Sequence, residues 1–287
     1  MAVFEMVKYH SQSYPADIPL RIEECAAHFD VAAVRSELKR SLHTEYSYGK
    51  RKFDSGLVQQ FPAITSAHKD GVPQLWKDEK WAGEFAEFLF LLSKADVPAV
   101  IEIHPPFKDY TDWDGFIRSY RVFEDLVMAR FPDASILIEN RCGSVYRGGR
   151  FLLSKTQDVE TLCNLIAQND LKLKIAYDIP QIYTAHNAKK QSQYLDLLQQ
   201  AKAYRSLIGG VHLWGKTKTD SGRIVAHCGD LTTYFDGDIA TKALFLETFN
   251  DLFDDGICRK MVLEVNSGNA DLISIIVDLR IGEVSFI

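Results

Sequence analysis

Short apolar runs alternate along this chain with longer stretches in which apolar residues return every three or four positions. The runs cover residues 99–104, 135–139, 172–178, 209–213 and 261–265. Each is of strand length, rich in Val, Ile and Leu, and carries a polar residue at or near its end. Between them, Trp81, Phe85, Phe88, Leu89 and Leu92 share one helical face, as do Phe116, Tyr120, Phe123 and Val127. Tyr194, Leu197, Leu198 and Ala201 mark a third helix, and Phe245, Phe249, Leu252 and Phe253 a fourth. Thr111 and Asp114 have the spacing of a capping box.

Strands alternating with helices predict right-handed βαβ units and a parallel sheet. Weaker runs at 3–8, 43–46 and 63–68 bring the strand count to eight, the number that closes an α/β barrel of the (β/α)8 TIM type. The rival, a doubly wound open sheet, usually shows a glycine-rich phosphate turn after its first strand, and this chain has none. A length of 287 residues suits one barrel domain spanning 1–287.

Composition narrows the function classes. No run of apolar residues is long enough for a membrane span, and the first ten residues lack the apolar core of a signal peptide. The five cysteines form no Cys-x-x-Cys pair, which argues against a disulfide scaffold and suits a reducing, cytoplasmic setting. A net charge of −6 argues against nucleic-acid binding by bulk charge and leaves room for a local basic patch.

Catalytic groups of such barrels sit where strands run into the following loops. The five clear runs place His104, Glu139, Asp178, His212 and Glu264 there, with His43 or Glu45 and His68 as earlier members. These side chains bind divalent metals through oxygen and imidazole nitrogen. Any one of them could serve as a helix cap or a core histidine. A whole series of independent strands ending this way points to a shared site.

The ordered set Ile138-Glu139-Asn140, Tyr177-Asp178, Val211-His212-Leu213 and Leu263-Glu264-Val265 resembles the metal set of the xylose isomerase-like TIM barrels. That superfamily includes sugar isomerases and epimerases and the endonuclease IV class (AP endonuclease family 2). The resemblance implies a metal held by Glu139, Asp178, His212 and Glu264, with Mn²⁺, Mg²⁺ or Zn²⁺ as the ion. It implies a sugar or sugar-phosphate isomerase or epimerase in which Glu139 and Glu264 move the proton. The alternative it implies is a zinc-dependent abasic-site nuclease or phosphodiesterase, in which His68, His104, His227 and Asp230 join the core. Many relatives carry a histidine three positions after the Asp; here that place holds Gln181, and the nearest histidine is His186. The nuclease branch uses an Asp-x-His pair where this chain reads His227-Cys228-Gly229-Asp230. A non-catalytic barrel that kept these residues for structure is the third reading.

The loops after the fifth and seventh strands are basic, with Arg141, Arg147 and Arg150, then Lys216. Arginine offers bidentate hydrogen bonds to phosphate or carboxylate, so the expected partner is anionic. A small carbohydrate or sugar phosphate is the first expectation and nucleic acid the second. Trp214, directly beyond His212, is the aromatic expected to face the cavity and stack on substrate.

Overall fold

The computed structural model describes residues 1–47, 53, 55–94 and 96–287. Its central sheet contains β1 (Val3–Lys8), β2 (Ile22–Ala27), β3 (Lys39–Thr44), β4 (Val100–Ile103), β5 (Ser135–Glu139), β6 (Lys174–Asp178), β7 (Ile208–Leu213) and β8 (Arg259–Leu263). All neighbours are parallel, and β8 pairs back onto β1, so the eight strands close into a (β/α)8 barrel. β1 and β2 pair only at Val7–Ile22 and Lys8–Glu23, because the register sets the start of β2 opposite the end of β1. A final segment, Ser285–Phe286, pairs with Val3 and Phe4 of β1. No helix among the described residues is long and apolar enough to cross a membrane.

The outer layer forms where the periodicity places it. Helices α1 (Glu79–Ser93), α2 (Trp113–Arg130), α3 (Thr156–Asn169), α4 (Gln191–Gln200), α5 (Ile239–Phe253) and α6 (Asn269–Ile281) pack their apolar faces on the sheet. The cap of α2 is Asp112, whose carboxylate accepts from Gly115 N at 2.8 Å. The expected Thr111–Asp114 box does not form; the cap lies one residue later, at Asp112, and its third helical residue is a glycine with no side chain to complete a box.

Two of the weaker strand assignments change. Residues 63–68 are mostly helix, because Pro62 opens the helix Pro62–Ser66 and the Glu84 carboxylate accepts the free amides of Ala63 and Ile64. His68 then falls in a small hairpin outside the barrel. The strand that takes its place is β2, Ile-Glu-Glu-Cys-Ala-Ala, which reads poorly as a strand because its polar residues are placed for contacts. Glu23 pairs with Lys8 at 2.7 Å, and Glu24 is buried toward the barrel axis. The third strand is Lys39–Thr44, so of the expected 43–46 only its last two residues are strand.

Alternation along the strands separates two environments. Phe4, Met6, Leu42, Ile101, Ile103, Ile138, Ile175, Tyr177 and Leu263 belong to the core under the helices. The opposite parity gives a thin apolar layer inside the barrel, including Val7, Ile22 and Val262 and also Val100, Leu137 and Ala176. Two residues beyond that layer, toward the strand ends, every inward position is polar.

The lower end of β8 is fastened by Arg259, which is 1% exposed. It makes two hydrogen bonds to Asp255 at 2.8 and 2.6 Å and also donates to the carbonyls of Ile208 and Arg205. Arg259→Ala removes both hydrogen bonds to Asp255, leaving it the Ile257 amide and the more distant Arg205, and takes the buried donor away from those carbonyls. Loss of one partner of a buried pair costs roughly 3–5 kcal/mol. The expected result is a urea midpoint lowered accordingly with an unchanged slope, and an unchanged midpoint would refute the role.

Candidate metal centre

The polar layer contains one side chain per strand: Tyr9 just past β1, Glu24, His43, Glu102, Glu139, Asp178, His212, and Glu264 just past β8. Five of the eight are carboxylates. Parallel strands under 5 Å apart leave them no room to avoid one another.

Two groups of potential ligands emerge from this ring. His43, Glu102, His104 and Glu139 form one, and Glu139, Asp178 and His212 the other. Within each group every residue offers one donor atom, and those atoms all lie within 4.8 Å of one another. Glu139 belongs to both. Glu264 adjoins the second group, with its Oε1 3.0 Å from His212 Nδ1 and its Oε2 3.1 Å from His227 Nδ1.

The hydrogen bonding tests whether a cation fits. His104 Nδ1 lies 3.2 Å from the Glu45 carbonyl, and its Nε2 lies 2.8 Å from Glu139 Oε2. Both ring nitrogens face acceptors. A histidine whose Nδ1–H is held by a carbonyl turns a lone pair at Nε2 toward whatever lies beyond, the usual second contact of a metal-ligating imidazole. Burial lowers the pKa of His104, which favours that neutral form. His212 differs: its Nε2 lies 2.9 Å from Glu102 and its Nδ1 3.0 Å from Glu264, and although burial disfavours the charged ring these two carboxylates raise its pKa well above the usual imidazole value, a charge that a bound cation would take over. Glu102 Oε1 is buried and makes no hydrogen bond among the described residues. A mixed imidazole and carboxylate set of this kind suits Zn²⁺ or Mn²⁺.

The electrostatics show the strain of so many acids. Burial raises Glu24 to about 7, helped by Glu264 and Glu102 and opposed by His43. Burial with the charges of Glu264 and Glu139 raises Asp178 to about 7. Burial works against a charged His43, but Glu24 and Glu139 outweigh it and lift the imidazole to about 9. Glu139 goes the other way: burial is overcome by Arg141, His104 and His43, which hold it well below the usual carboxylate range.

Neighbouring side chains fix the ring. Arg141 Nη1 contacts both oxygens of Glu139, at 2.9 and 2.8 Å. Gln181 bridges Glu139 and Asp178, donating to Asp178 Oδ2 at 2.7 Å. Trp214 Nε1 donates to the same Oδ2 at 3.1 Å. Asn140 and Asp178 exchange a reciprocal pair of side chain–backbone bonds at 3.0 Å. His227 holds a left-handed φ of 57° and stacks on Trp214 with centroids 4.3 Å apart. Gly215 makes that loop feasible, since a Cβ there would meet the Gly229 carbonyl oxygen at 2.2 Å.

Of the six additional candidates, His104, Gln181 and His227 touch the ring. The other three stand elsewhere. His68 contacts the Thr65 carbonyl and packs on Phe53. His186 accepts from Thr156 N at the start of α3. Asp230 caps the turn Leu231–Tyr234 and accepts from Ser274. Among the basic residues, Arg141 and Lys216 line the mouth, whereas Arg147 donates to the Asp70 carbonyl and Arg150 is exposed. Glu45 serves as a brace, accepting from Phe29 N at 3.1 Å. The sequence reading passed over Glu102 and Glu24. Glu102 had a usable signal: it sits two residues before His104, on the same strand face, inside an apolar run.

Above the ring lies a cavity of about 390 Å³ lined by Tyr9, Glu24, His43, Glu139, Arg141 and Glu264 among others. A second, of about 690 Å³, adjoins it and shares Arg141, Gln181 and His227.

No family model and no curated protein matches the sequence. Among solved structures, the chain is similar over 95% of its length to a family 2 AP endonuclease from Brucella melitensis, with 11% identity, 97% of that chain covered and a TM-score of 0.50. It is similar over 98% to a 3-keto-D-glucoside 4-epimerase from E. coli, with 13% identity, 99% of that chain covered and a TM-score of 0.47. A probable 3-DHS dehydratase from Bacillus anthracis matches over 70% of this chain and 67% of its own, at 12% identity and a TM-score of 0.41. At these identities the likeness is one of fold.

Proposed function

We propose that the protein is a divalent-metal-dependent hydrolase of phosphate esters, acting at phosphodiester bonds. The observation that carries this reading is the sharing of Glu139 between two ligand groups. A one-ion isomerase built on Glu139, Asp178, His212 and Glu264 would leave the donor group of His43, Glu102 and His104 without an ion. Two ion sites meeting at one carboxylate suit in-line displacement at phosphorus.

His43, Glu102 and His104 would hold one ion, and Asp178 and His212 the other, with Glu139 between them. Bound divalent ions supply positive charge to the attacking and leaving oxygens. The protein's own residues do the rest. Arg141, anchored on Glu139, presents a fixed cation to a phosphate at the junction of the two cavities. His227, whose pKa the Glu264 carboxylate raises against the effect of burial, stands as the proton donor to the departing oxygen. The fold shared with a family 2 AP endonuclease is compatible with this chemistry.

The test joins metal counting to turnover. Elemental analysis is expected to find two ions per chain. The loaded protein is expected to cleave bis(4-nitrophenyl) phosphate or a duplex with an abasic site, losing activity in EDTA and regaining it with Mn²⁺ or Zn²⁺. A single ion per chain with ketose interconversion and no diester cleavage would overturn the proposal.

A further inference from the structure

We infer that the larger cavity beside the metal centre is a nucleobase site, so that the phosphate ester this protein acts on is that of a nucleotide. The inference rests on the function proposed above and adds the identity of the group carried by the phosphate.

The cavity has about 690 Å³, within the usual range for an organic ligand and roomy for a lone sugar ring. Its wall is aromatic. Trp214, Tyr183, Tyr194 and Tyr234 line it and brace one another, with Tyr183 and Tyr194 centroids 4.9 Å apart and Trp214 and Tyr234 6.2 Å apart. Trp214 is locked on one side by His227 and at its Nε1 by Asp178. Such pre-fixed rings lose little freedom on stacking a planar base.

A sugar site would differ. Recognition of several hydroxyls calls for carboxylate and carboxamide pairs. Among the described lining residues the only carboxylate is Asp236, which Lys218 engages at 2.6 Å, and of the two carboxamides Gln181 already donates to Glu139 and Asp178 while Asn187 is exposed at the rim.

Arg141 and Lys218 are paired with Glu139 and Asp236 and Lys189 is exposed, so the cation set into the aromatic wall is Lys216. Its Nζ lies 4.1 Å from the Tyr234 ring centroid and makes no ion pair among the described residues. A half-buried ammonium held by ring faces alone, in a chain with 39 acidic residues, is set for an anionic ligand. Lys216 and Arg141 line the same cavity, and Arg141 also reaches the metal centre. A base on the rings therefore leaves its phosphate between two cations and next to the ligand groups.

The experiment is calorimetric titration of the metal-loaded protein with AMP, CMP, ribose 5-phosphate and a short single-stranded oligonucleotide. AMP is expected to bind at least about tenfold more tightly than ribose 5-phosphate, the increment of one stacked base. Tyr234→Leu should bring AMP down to the level of ribose 5-phosphate, and Lys216→Met should weaken both by about tenfold. An oligonucleotide that binds more tightly than AMP identifies a strand as the source of the base; a weaker one identifies the free nucleotide. Equal affinity of AMP and ribose 5-phosphate for the unmodified protein overturns the inference, whatever the variants do. AMP contains no diester bond, so its binding is read independently of hydrolysis. Tight AMP binding without diester cleavage defeats the proposed reaction and leaves the base site. Cleavage of bis(4-nitrophenyl) phosphate without preference for AMP does the reverse.

Discussion

Glu139→Gln is expected to remove most of the bound metal and to lower diester turnover by about a thousandfold or more. Several kcal/mol of transition-state charge stabilisation, at about 1.4 kcal/mol per tenfold, set that scale. The change keeps the side chain's shape, so its effect is electrical. Glutamine offers one neutral oxygen where two ligand groups meet, and it cannot serve both. It also leaves the Arg141 guanidinium, now 2.8–2.9 Å from each Glu139 oxygen, without its counter-charge beside the ions. Both effects repel cations from the centre. Elemental analysis and turnover should fall together while far-UV circular dichroism stays native. His68→Ala is the contrast: His68 stands in the hairpin, clear of both ligand groups, and its loss should leave metal content and rate unchanged. Full metal content and full rate in Glu139→Gln would remove the basis of the two-ion reading.

The two parts of the molecule were legible in different degrees, for physical reasons. Strands β4 to β8 show in the sequence because a parallel strand covered by helices must be apolar on its outer face and on most of its inner one. The helices show because each buries one stripe. β2 was hidden by its own chemistry: Glu23 and Glu24 break the apolar run, yet one pairs with Lys8 and the other joins the ring. Residues 63–68 looked like a strand because periodicity cannot weigh Pro62 and the remote carboxylate of Glu84, which together make a helix there. In the candidate centre, reading the polar residue at or next to the end of each run brought up His104, Glu139, Asp178, His212 and Glu264. It passed over Glu102, whose signal, a carboxylate two residues before His104 on the same strand face, lies inside the run rather than at its end. The places of His186 and Asp230 depend on loop paths that spacing does not encode.

Removal of metal with EDTA should lower the melting temperature, and the loss should grow as the pH rises from about 6 to about 8.5, the window set by the shifted groups below. A ligand present at a thousandfold excess over its Kd stabilises by about 4 kcal/mol. For a chain of this size that is on the order of 10 °C. The pH dependence follows from the ring. Burial raises Glu24 and Asp178 to about 7, far above their values in the unfolded chain. The metal-free folded state therefore holds more protons than the unfolded state below pH ~7, and it loses stability as the pH climbs from about 4 through 7. His43, lifted to about 9 by Glu24 and Glu139 in spite of burial, contributes stability that is full below about 6.5 and lost as the pH passes 9. These groups slope the same way. Glu139 and Glu264, held low by cationic neighbours, contribute stability that is lost only in acid and leave this window flat. Metal takes the place of the protons, so its affinity strengthens over the range in which the metal-free ring is becoming repulsive. Thermal melts with and without EDTA should diverge steadily toward alkaline pH. Parallel melting curves across that range would mean that the carboxylates are neutralised by something other than a cation, and the ring would then be a structural network.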